Sequence, residues 1–447
     1  MKSNANFHFC ISLAAICIVS TTPAQAEENI YKSLTSGKVT VNERLRFERV
    51  EDDAFAKDAD ALTLRSKLGY ETAPYYGFTL LTEFENVHSV AGLNNYQLPA
   101  PPTPPATGYA VIADPEGSDF NRFQLRYRGI SKLNLTLGRQ YLTFDNQRWI
   151  GNVGFRQNDQ TFDAFSATYT GIDDFTFNYA YVGRVHGITP AFDSNTSDNL
   201  FNVSYNGFTW GKFTAYSYDL KNQNDTLRLP AAQIDLNPGL RYITNNSTGL
   251  RFEGSYNLPT TVPLRALYRA EYANQSAEIM ATPTVEKRYH ADYKLGEIGM
   301  TWGFGGGNYA LTPMLGYEFL GSDGGQYGLQ TPYATKHAFN GWADQFLVTP
   351  KEGLVDQYAT LGLDFNAYAI KTMLQYHEYS SASRNLTTHD GLDFGTETSL
   401  QVVKTFGPKW TIGTKFAVYD QADSRADVAV SGKKDLSKAW VWAEYNF

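Results

Sequence analysis

The stretch Ala439-Trp440-Val441-Trp442-Ala443-Glu444-Tyr445-Asn446-Phe447 decides the fold. Side chains alternate across a strand, so Ala439, Val441, Ala443, Tyr445 and Phe447 share one face, and Trp440, Trp442, Glu444 and Asn446 share the other. A strand that closes on an exposed aromatic suits a barrel in a bacterial outer membrane. There one face meets lipid and an aromatic girdle marks the interface. The same parity turns Trp440, Trp442 and Glu444 inward. If this strand closes on residues 38–49, those side chains meet Arg44 and Arg46 across the seam.

The alternation recurs upstream. Val39, Val41, Leu45 and Phe47 alternate with Thr40, Asn42, Arg44 and Arg46. Leu62, Leu64 and Leu68 alternate with Thr63, Arg65 and Lys67; Phe123, Leu125 and Tyr127 alternate with Arg122, Gln124, Arg126 and Arg128. Further copies run through Phe175–Tyr181, Val262–Tyr268, Tyr289–Leu295, 359–365, 368–376 and 410–418. Any one of them would fit a soluble half-buried sheet. Their number, with no helical pattern between, favours a barrel.

Connections alternate between short and long. Short turns are expected near 73–77, 129–132, 171–174, 206–207, 258–261, 305–308, 366–367 and 407–409. Long loops are expected near 50–60, 89–118, 144–160, 187–197, 220–247, 273–286, 320–354, 380–395 and 421–437. Eight turns and nine loops join 18 strands, with 287–304 read as one long strand. The expectation is an all-β, antiparallel up-and-down transmembrane barrel with short periplasmic turns, long extracellular loops and both termini in the periplasm.

Composition agrees. The chain holds 30 Tyr, 28 Phe and 7 Trp, yet no stretch after residue 26 is apolar over the 18 or more residues of a membrane helix. Lys2, the apolar run of residues 7–19 and the small residues Ala24 and Ala26 form a signal-peptide pattern with cleavage after Ala26. Residues 27–37 then form a short periplasmic segment and 38–447 the barrel. Cys10 and Cys17 both fall in the signal, so the mature chain has no thiol chemistry. Losing Lys2 takes the formal charge from −8 to −9, which argues against a nucleic-acid partner.

Two loops stand out. Leu98-Pro99-Ala100-Pro101-Pro102-Thr103-Pro104-Pro105 is extended and irregular, because proline fixes φ and lacks a donor. It reads equally as a surface loop or an infolded lid. In 320–354, Phe339, Trp342 and Phe346 fall at helical spacing, so this segment is expected to fold onto the barrel.

With aliphatic and aromatic positions outward, the inward set holds Arg44, Arg46, Arg65, Lys67, Arg122, Arg126, Arg128, Arg251, Arg265, Arg269, Arg288, Lys294, Lys371 and Lys415. Glu48, Glu71, Glu83, Glu253, Glu271, Asp292, Glu318 and Asp364 share it. The interior thus leans basic in an acidic chain. A guanidinium grips a carboxylate through two hydrogen bonds, and rows of them in a wet tube would concentrate anions. The same rows could serve only to pair with the acidic groups. Tyr179, Tyr181, Tyr289, Tyr317, Tyr445 and Phe447 are read as outward girdle, and Trp440 and Trp442 as lumen rings that either pack or stack on sugar.

The most distinctive segment is 137–165. Gly138-Arg139-Gln140 ends a strand; Arg148-Trp149-Ile150-Gly151-Asn152-Val153-Gly154-Phe155-Arg156-Gln157 follows, then Thr161-Phe162-Asp163. This resembles the alginate export family of outer membrane barrels, as does Phe339-Asn340-Gly341-Trp342-Ala343-Asp344-Gln345-Phe346-Leu347 with Gly353-Leu354 and Asp356. The resemblance implies an 18-stranded barrel with a narrow electropositive passage for a uronic-acid polymer. It implies Arg139, Arg148 and Arg156 at or beside the pore, with Asp145 and Asp163 positioning them. Simple parity from Leu133, Leu135 and Leu137 points Arg139 outward, unless a bulge resets the register.

The expected function is a channel for anionic oligo- or polysaccharide, with Arg44, Arg46, Arg65, Arg122, Arg126, Arg128, Arg139, Arg148, Arg156, Arg265, Arg269 and Arg288 lining it. The alternative is a general diffusion porin. An enzyme is not expected: His88, His186, His290, His337, His377 and His389 show no catalytic spacing, and neither Gly-x-Ser-x-Gly nor His-Glu-x-x-His occurs. No cofactor or metal is expected. The expected partners are the saccharide and outer membrane lipid, with the chain a monomer.

Overall fold

The computed structural model describes residues 29–98, 108–223, 242–282, 285–384 and 391–447. The expected signal peptide and the proline run from Pro99 to Pro105 lie outside these residues. Strands β1 (Lys38–Asp52), β2 (Ala59–Glu71), β3 (Phe78–Asn95), β4 (Gly117–Tyr127), β5 (Leu133–Gln140) and β6 (Thr161–Tyr169) open the barrel. They are followed by β7 (Phe175–His186), β8 (Ser194–Phe208), β9 (Gly211–Lys221), β10 (Tyr242–Asn257), β11 (Leu264–Thr282) and β12 (Val285–Phe304). The circuit ends with β13 (Tyr309–Leu320), β14 (Leu354–Phe365), β15 (Ile370–Arg384), β16 (Gly391–Phe406), β17 (Trp410–Asp420) and β18 (Leu436–Asn446).

These 18 strands form one closed antiparallel sheet. The seam is β18 on β1, with Arg44 opposite Glu444, Arg46 opposite Trp442 and Glu48 opposite Trp440. Phe447 finishes it by exchanging two 2.9 Å backbone hydrogen bonds with Val41. Closure removes the unpaired sheet edges that hydrocarbon would not tolerate. The described residues hold no helix long and apolar enough to cross a membrane.

A short helix, Ile30–Thr35, is capped by the Asn29 side chain and docks under the first periplasmic turn. Ser33 Oγ donates to the Ala73 carbonyl at 2.6 Å, and the Tyr70 hydroxyl donates to Leu34 O at 2.6 Å. The turns at 72–77, 128–132, 170–174, 258–263, 305–308, 366–369 and 407–409 fall within two residues of their expected positions. The expected 206–207 turn moves to Thr209–Trp210, because β8 stays paired through Phe208 opposite Gly211. The expected 273–286 loop is mostly strand. β11 and β12 stay paired up to Thr282 opposite Val285.

Strand β12 overturns part of the parity reading. Its outward residues change character along its length: Ile298, Met300, Trp302 and Phe304 are apolar, whereas Arg288, His290, Asp292 and Lys294 are polar. Tyr289, Tyr293 and Leu295 point inward and are buried, Tyr293 completely. The register is continuous, so the side-chain faces do not switch. A strand of 20 residues rises about 3.3 Å per residue and far exceeds a lipid-facing band about 25 Å tall. Its upper half projects beyond the bilayer, where outward positions meet water. Arg288, Asp292 and Lys294 are therefore outward residues, and Tyr289 is an interior one.

Two segments fold into the barrel instead of over it, residues 141–160 and 321–353. They join along a short parallel contact. Ile150 bridges Tyr333, Gly151 N donates to Tyr333 O at 2.8 Å, and Thr335 N donates to Gln147 O at 3.0 Å. Phe339, Trp342 and Phe346 do fold against the barrel, from inside and without an α-helix; the only helical turn nearby is the 3-10 turn Lys336–Ala338. The flanks of the proline run also turn inward, burying Tyr96, Ala110, Ile112 and Asp114.

Candidate pore and its lining

The family-like motifs are built first for folding. Gly138 has φ +114°, and a methyl there would overlap the Phe123 carbonyl. Gln140 then ties β5 to β6: its Nε2 donates to Ala164 O at 2.9 Å, and its Oε1 accepts from Ser166 Oγ at 2.6 Å. Gln157 is fully buried. It donates to Thr63 Oγ1 at 2.8 Å and accepts from Arg44 Nε at 3.1 Å. Gln160 donates to the carbonyls of Gly151 and Tyr333 at 2.8 and 3.1 Å. Amides suit this work because each carries donors and acceptors for otherwise orphaned backbone groups.

Arg148 and Arg156 sit where the two infolded segments meet the wall. Arg148 Nε lies 2.8 Å from Glu318, and its Nη2 donates to Asn340 Oδ1 at 3.0 Å. Arg156 holds Glu48 through two bonds of 2.9 and 3.0 Å and Asp344 at 3.0 Å. Carboxylate neighbours raise both guanidinium pKa values against the opposing effect of burial. Arg46 pairs with Asp114 and the Phe155 carbonyl, and Arg44 donates to Gly154 O at 3.0 Å and Arg156 O at 2.6 Å. Arg65 donates to Asn42 and lies 3.6 Å from Glu444. Buried ion pairs of this kind hold position, since losing one partner strands a charge.

The 339–347 segment is clamped by three strands. Asn340 donates to Glu318 at 2.6 Å and Asp356 at 3.1 Å. The backbone N–H groups of Trp342 and Ala343 donate to Glu397 at 2.6 and 3.2 Å. Gly341, at φ +84°, leaves the space that this carboxylate and the Tyr379 hydroxyl occupy. Asp344 gathers His337 at 2.8 Å, Lys438 at 2.9 Å and Arg156 at 3.0 Å, which hold its pKa well below the usual range. Lysine can only donate, so the 3.0 Å contact from Lys415 Nζ makes His337 Nε2 the acceptor and Nδ1–H the donor to Asp344. Burial pushes the His337 pKa down to about 3. Phe155 stacks on His337 at 4.0 Å, and Trp440 closes edge-on at 5.6 Å. Trp440 is thus completely buried in packing, and Trp442 is half-buried against Phe155. Sequence reading missed Glu397 and placed no role on Asp356; alternation alone marks them as inward but not as clamps.

Below this plug the lumen is open. A cavity of about 500 Å³ is lined on one wall by Arg122 and Arg126 of β4 and by Arg128, the residue that follows it. Its far wall carries Asn202, Ser204 and Lys212, and its roof is Tyr141–Asp145. Arg122 pairs with Glu83 at 2.5 Å and Arg126 with Glu71 through two 3.1 Å bonds. Arg128 is exposed to this space, and among the described residues its side chain makes one bond, Nε to Asn134 Oδ1 at 3.2 Å. Asp145 pairs with Lys212 at 3.3 Å and accepts from Asn202 at 2.7 Å, so it positions no arginine. A second cavity of about 420 Å³ includes Arg265, bonded to Ser255, and Arg269, paired with Glu297.

Two of the arginines expected in the lumen face elsewhere. Arg139 lies opposite Phe123, an outward residue, and pairs with Asp119 and Asp163 at 3.0 Å each. No bulge turns it inward: the irregularity nearby falls between β6 and β7, at Asp163/Ala164. Arg288 pairs outward with Glu278.

An 18-stranded closed antiparallel barrel with an aromatic outer wall and infolded loops has the fold of outer membrane β-barrel porins. The alginate export family model matches residues 105–319, which bears out the resemblance carried by the 137–165 motif. Among curated proteins, none matches the chain in sequence. Among solved structures it is similar to Pseudomonas aeruginosa OpdL, with 12% identity, 93% of this chain and 99% of that chain covered, and a TM-score of 0.63. Acinetobacter baumannii OccAB1 gives 11%, 95%, 99% and 0.64 on the same measures. P. aeruginosa OpdK, solved with vanillate, gives 12%, 93%, 99% and 0.61. At these identities the likeness is one of fold.

Proposed function

We propose that this outer membrane channel passes anionic oligo- or polysaccharide, alginate-like uronates, through a basic lumen. The observation that carries the reading is the Arg122–Arg126–Arg128 ladder on one wall of the 500 Å³ cavity. Arg44, Arg46 and Arg65 of the wall and Arg148 and Arg156 of the plug support it where the two meet, fixing the shape of the passage. Arg265 and Arg269 line a second stretch of the lumen, where Arg269 is paired with Glu297. The family match and the porin fold agree with a channel. Processing after Ala26 and a monomeric barrel belong to the same reading; intact mass of the mature chain and native mass spectrometry in detergent check them.

The test is single-channel conductance of the purified protein in planar bilayers. Anion selectivity with block by oligouronates is the expected result. Exchanging Arg126 and Arg128 for Gln should lower selectivity. A large, unselective conductance that uronates do not block would instead mark a general diffusion porin.

A further inference from the structure

The wall of the cavity beyond the arginine ladder has a chemistry of its own. Opposite positions on β5, β6, β7 and β8 place Asn134 beside Thr168, Thr168 beside Asn178 and Asn178 beside Asn202. These inward side chains form one transverse row. Thr168 Oγ1 donates to Asn178 Oδ1 at 2.9 Å, and Asn178 Nδ2 donates to Asn202 Oδ1 at 3.4 Å. Arg128 stands at one end, on Asn134, and Lys212 at the other, sharing Asp145 with Asn202. Elsewhere the lumen wall is laced with ion pairs, at Glu83, Glu253, Glu271 and Glu297. Here it is a row of amides and a hydroxyl, with the Arg128 guanidinium at one end and the Lys212–Asp145 ion pair at the other. Arg128 has no carboxylate partner among the described residues, and its terminal nitrogens make no bond there.

We infer that this row is a binding site for a polyhydroxylated carboxylate, with the carboxylate on Arg128 and the ring hydroxyls on Asn134, Thr168 and Asn178. The inference rests on the anionic-saccharide reading and adds a specificity element to it. Amides and hydroxyls both donate and accept, as sugar hydroxyls do, so they exchange bonds with a sugar where arginines alone would bind any anion. The volume of about 500 Å³ falls within the usual range of about 300–1,000 Å³ for small-molecule sites. An aromatic carboxylate offers the row few partners, and leaving buried polar groups unmatched is what rejects a wrong ligand.

The experiment compares block of single-channel current by a uronate trisaccharide, by maltotriose and by benzoate. In a Thr168→Val/Asn178→Leu double variant, which leaves the Arg128–Asn134 contact intact, the blocking concentration of the uronate should rise about tenfold, the effect of losing one or two hydrogen bonds. Benzoate block and the chloride-to-potassium selectivity should stay as in the parent. Arg128→Gln should weaken uronate and benzoate block together. Uronate block unchanged in the double variant, or benzoate block lost with it, overturns the site while leaving an anion channel intact. A parent channel with no anion selectivity overturns the underlying reading instead. Heat-modifiable migration on gels confirms that each variant is folded, and an Asn178→Ser variant, whose hydroxyl still donates and accepts, should retain most of the uronate block.

Discussion

The two halves of the β11–β12 hairpin follow opposite rules. In the periplasmic half, outward Tyr268, Ile298, Met300 and Trp302 meet lipid while Arg265, Arg269 and Glu297 face the lumen. In the extracellular half, outward Asn274, Glu278, Arg288 and Asp292 are polar, while Ala273, Ala277 and Tyr293 are completely buried inside. The backbone is continuous and only the surroundings change. Lipid outside and water inside give way to water outside and a packed plug inside. Alternation therefore reports the two faces of a strand, but not which face is the lumen, until the height of the bilayer is known.

The largest expected effect comes from the plug. Asp344→Ala removes the anion shared by His337, Arg156 and Lys438, and breaking a buried pair costs about 3–5 kcal/mol. The loop should lose its seat, seen as larger and noisier single-channel current and faster hydrogen exchange over 333–346. Next comes the lipid face. Ile298→Lys places a charge on a residue that is 67% exposed on the lipid-facing wall, with an expected cost of about 2–4 kcal/mol near the midplane. His290→Lys, on the same outward face higher up, should stay within about 0.5 kcal/mol. Equal costs in reversible unfolding into lipid vesicles would break the two-halves comparison.

The third effect is a pH step in the plug. His337 is neutral in place, with its pKa lowered to about 3 from an ordinary value of about 6.5. A lowered folded pKa means that the stabilisation is present above about pH 6.5 and is lost as pH falls toward 3. The groups facing His337 are Asp344, Lys415 and Arg156. Channel noise should rise across that window, and His337→Gln should flatten the part due to this residue. The smallest effect is at Arg288→Gln. An exposed pair with Glu278 is worth about 0–1 kcal/mol, and ion selectivity should not change.

The strand count and the seam were legible because a period of two is local and survives without tertiary information. It placed Trp440, Trp442 and Glu444 on the same face as Arg44 and Arg46 across the seam, where Arg44 stands opposite Glu444. The motif loops were legible as unusual but not as a plug. Arg148, Arg156 and Asn340 act through Glu318, Glu48 and Asp356, which lie on strands remote in sequence, and alternation carries no record of such pairings. Tyr289 and Arg288 were misread because both sides of that strand carry rings or charges in a segment above the lipid.

The sequence by itself determined an 18-stranded closed sheet, its seam at Phe447 and a basic bias among lumen-parity residues, since each depends on composition and nearest-neighbour alternation. The tertiary structure alone decided which arginines remain open to solvent in the lumen. That choice depends on which carboxylates the infolded loops bring within hydrogen-bond distance: Arg156 is locked by Glu48 and Asp344, whereas Arg128 meets only an amide.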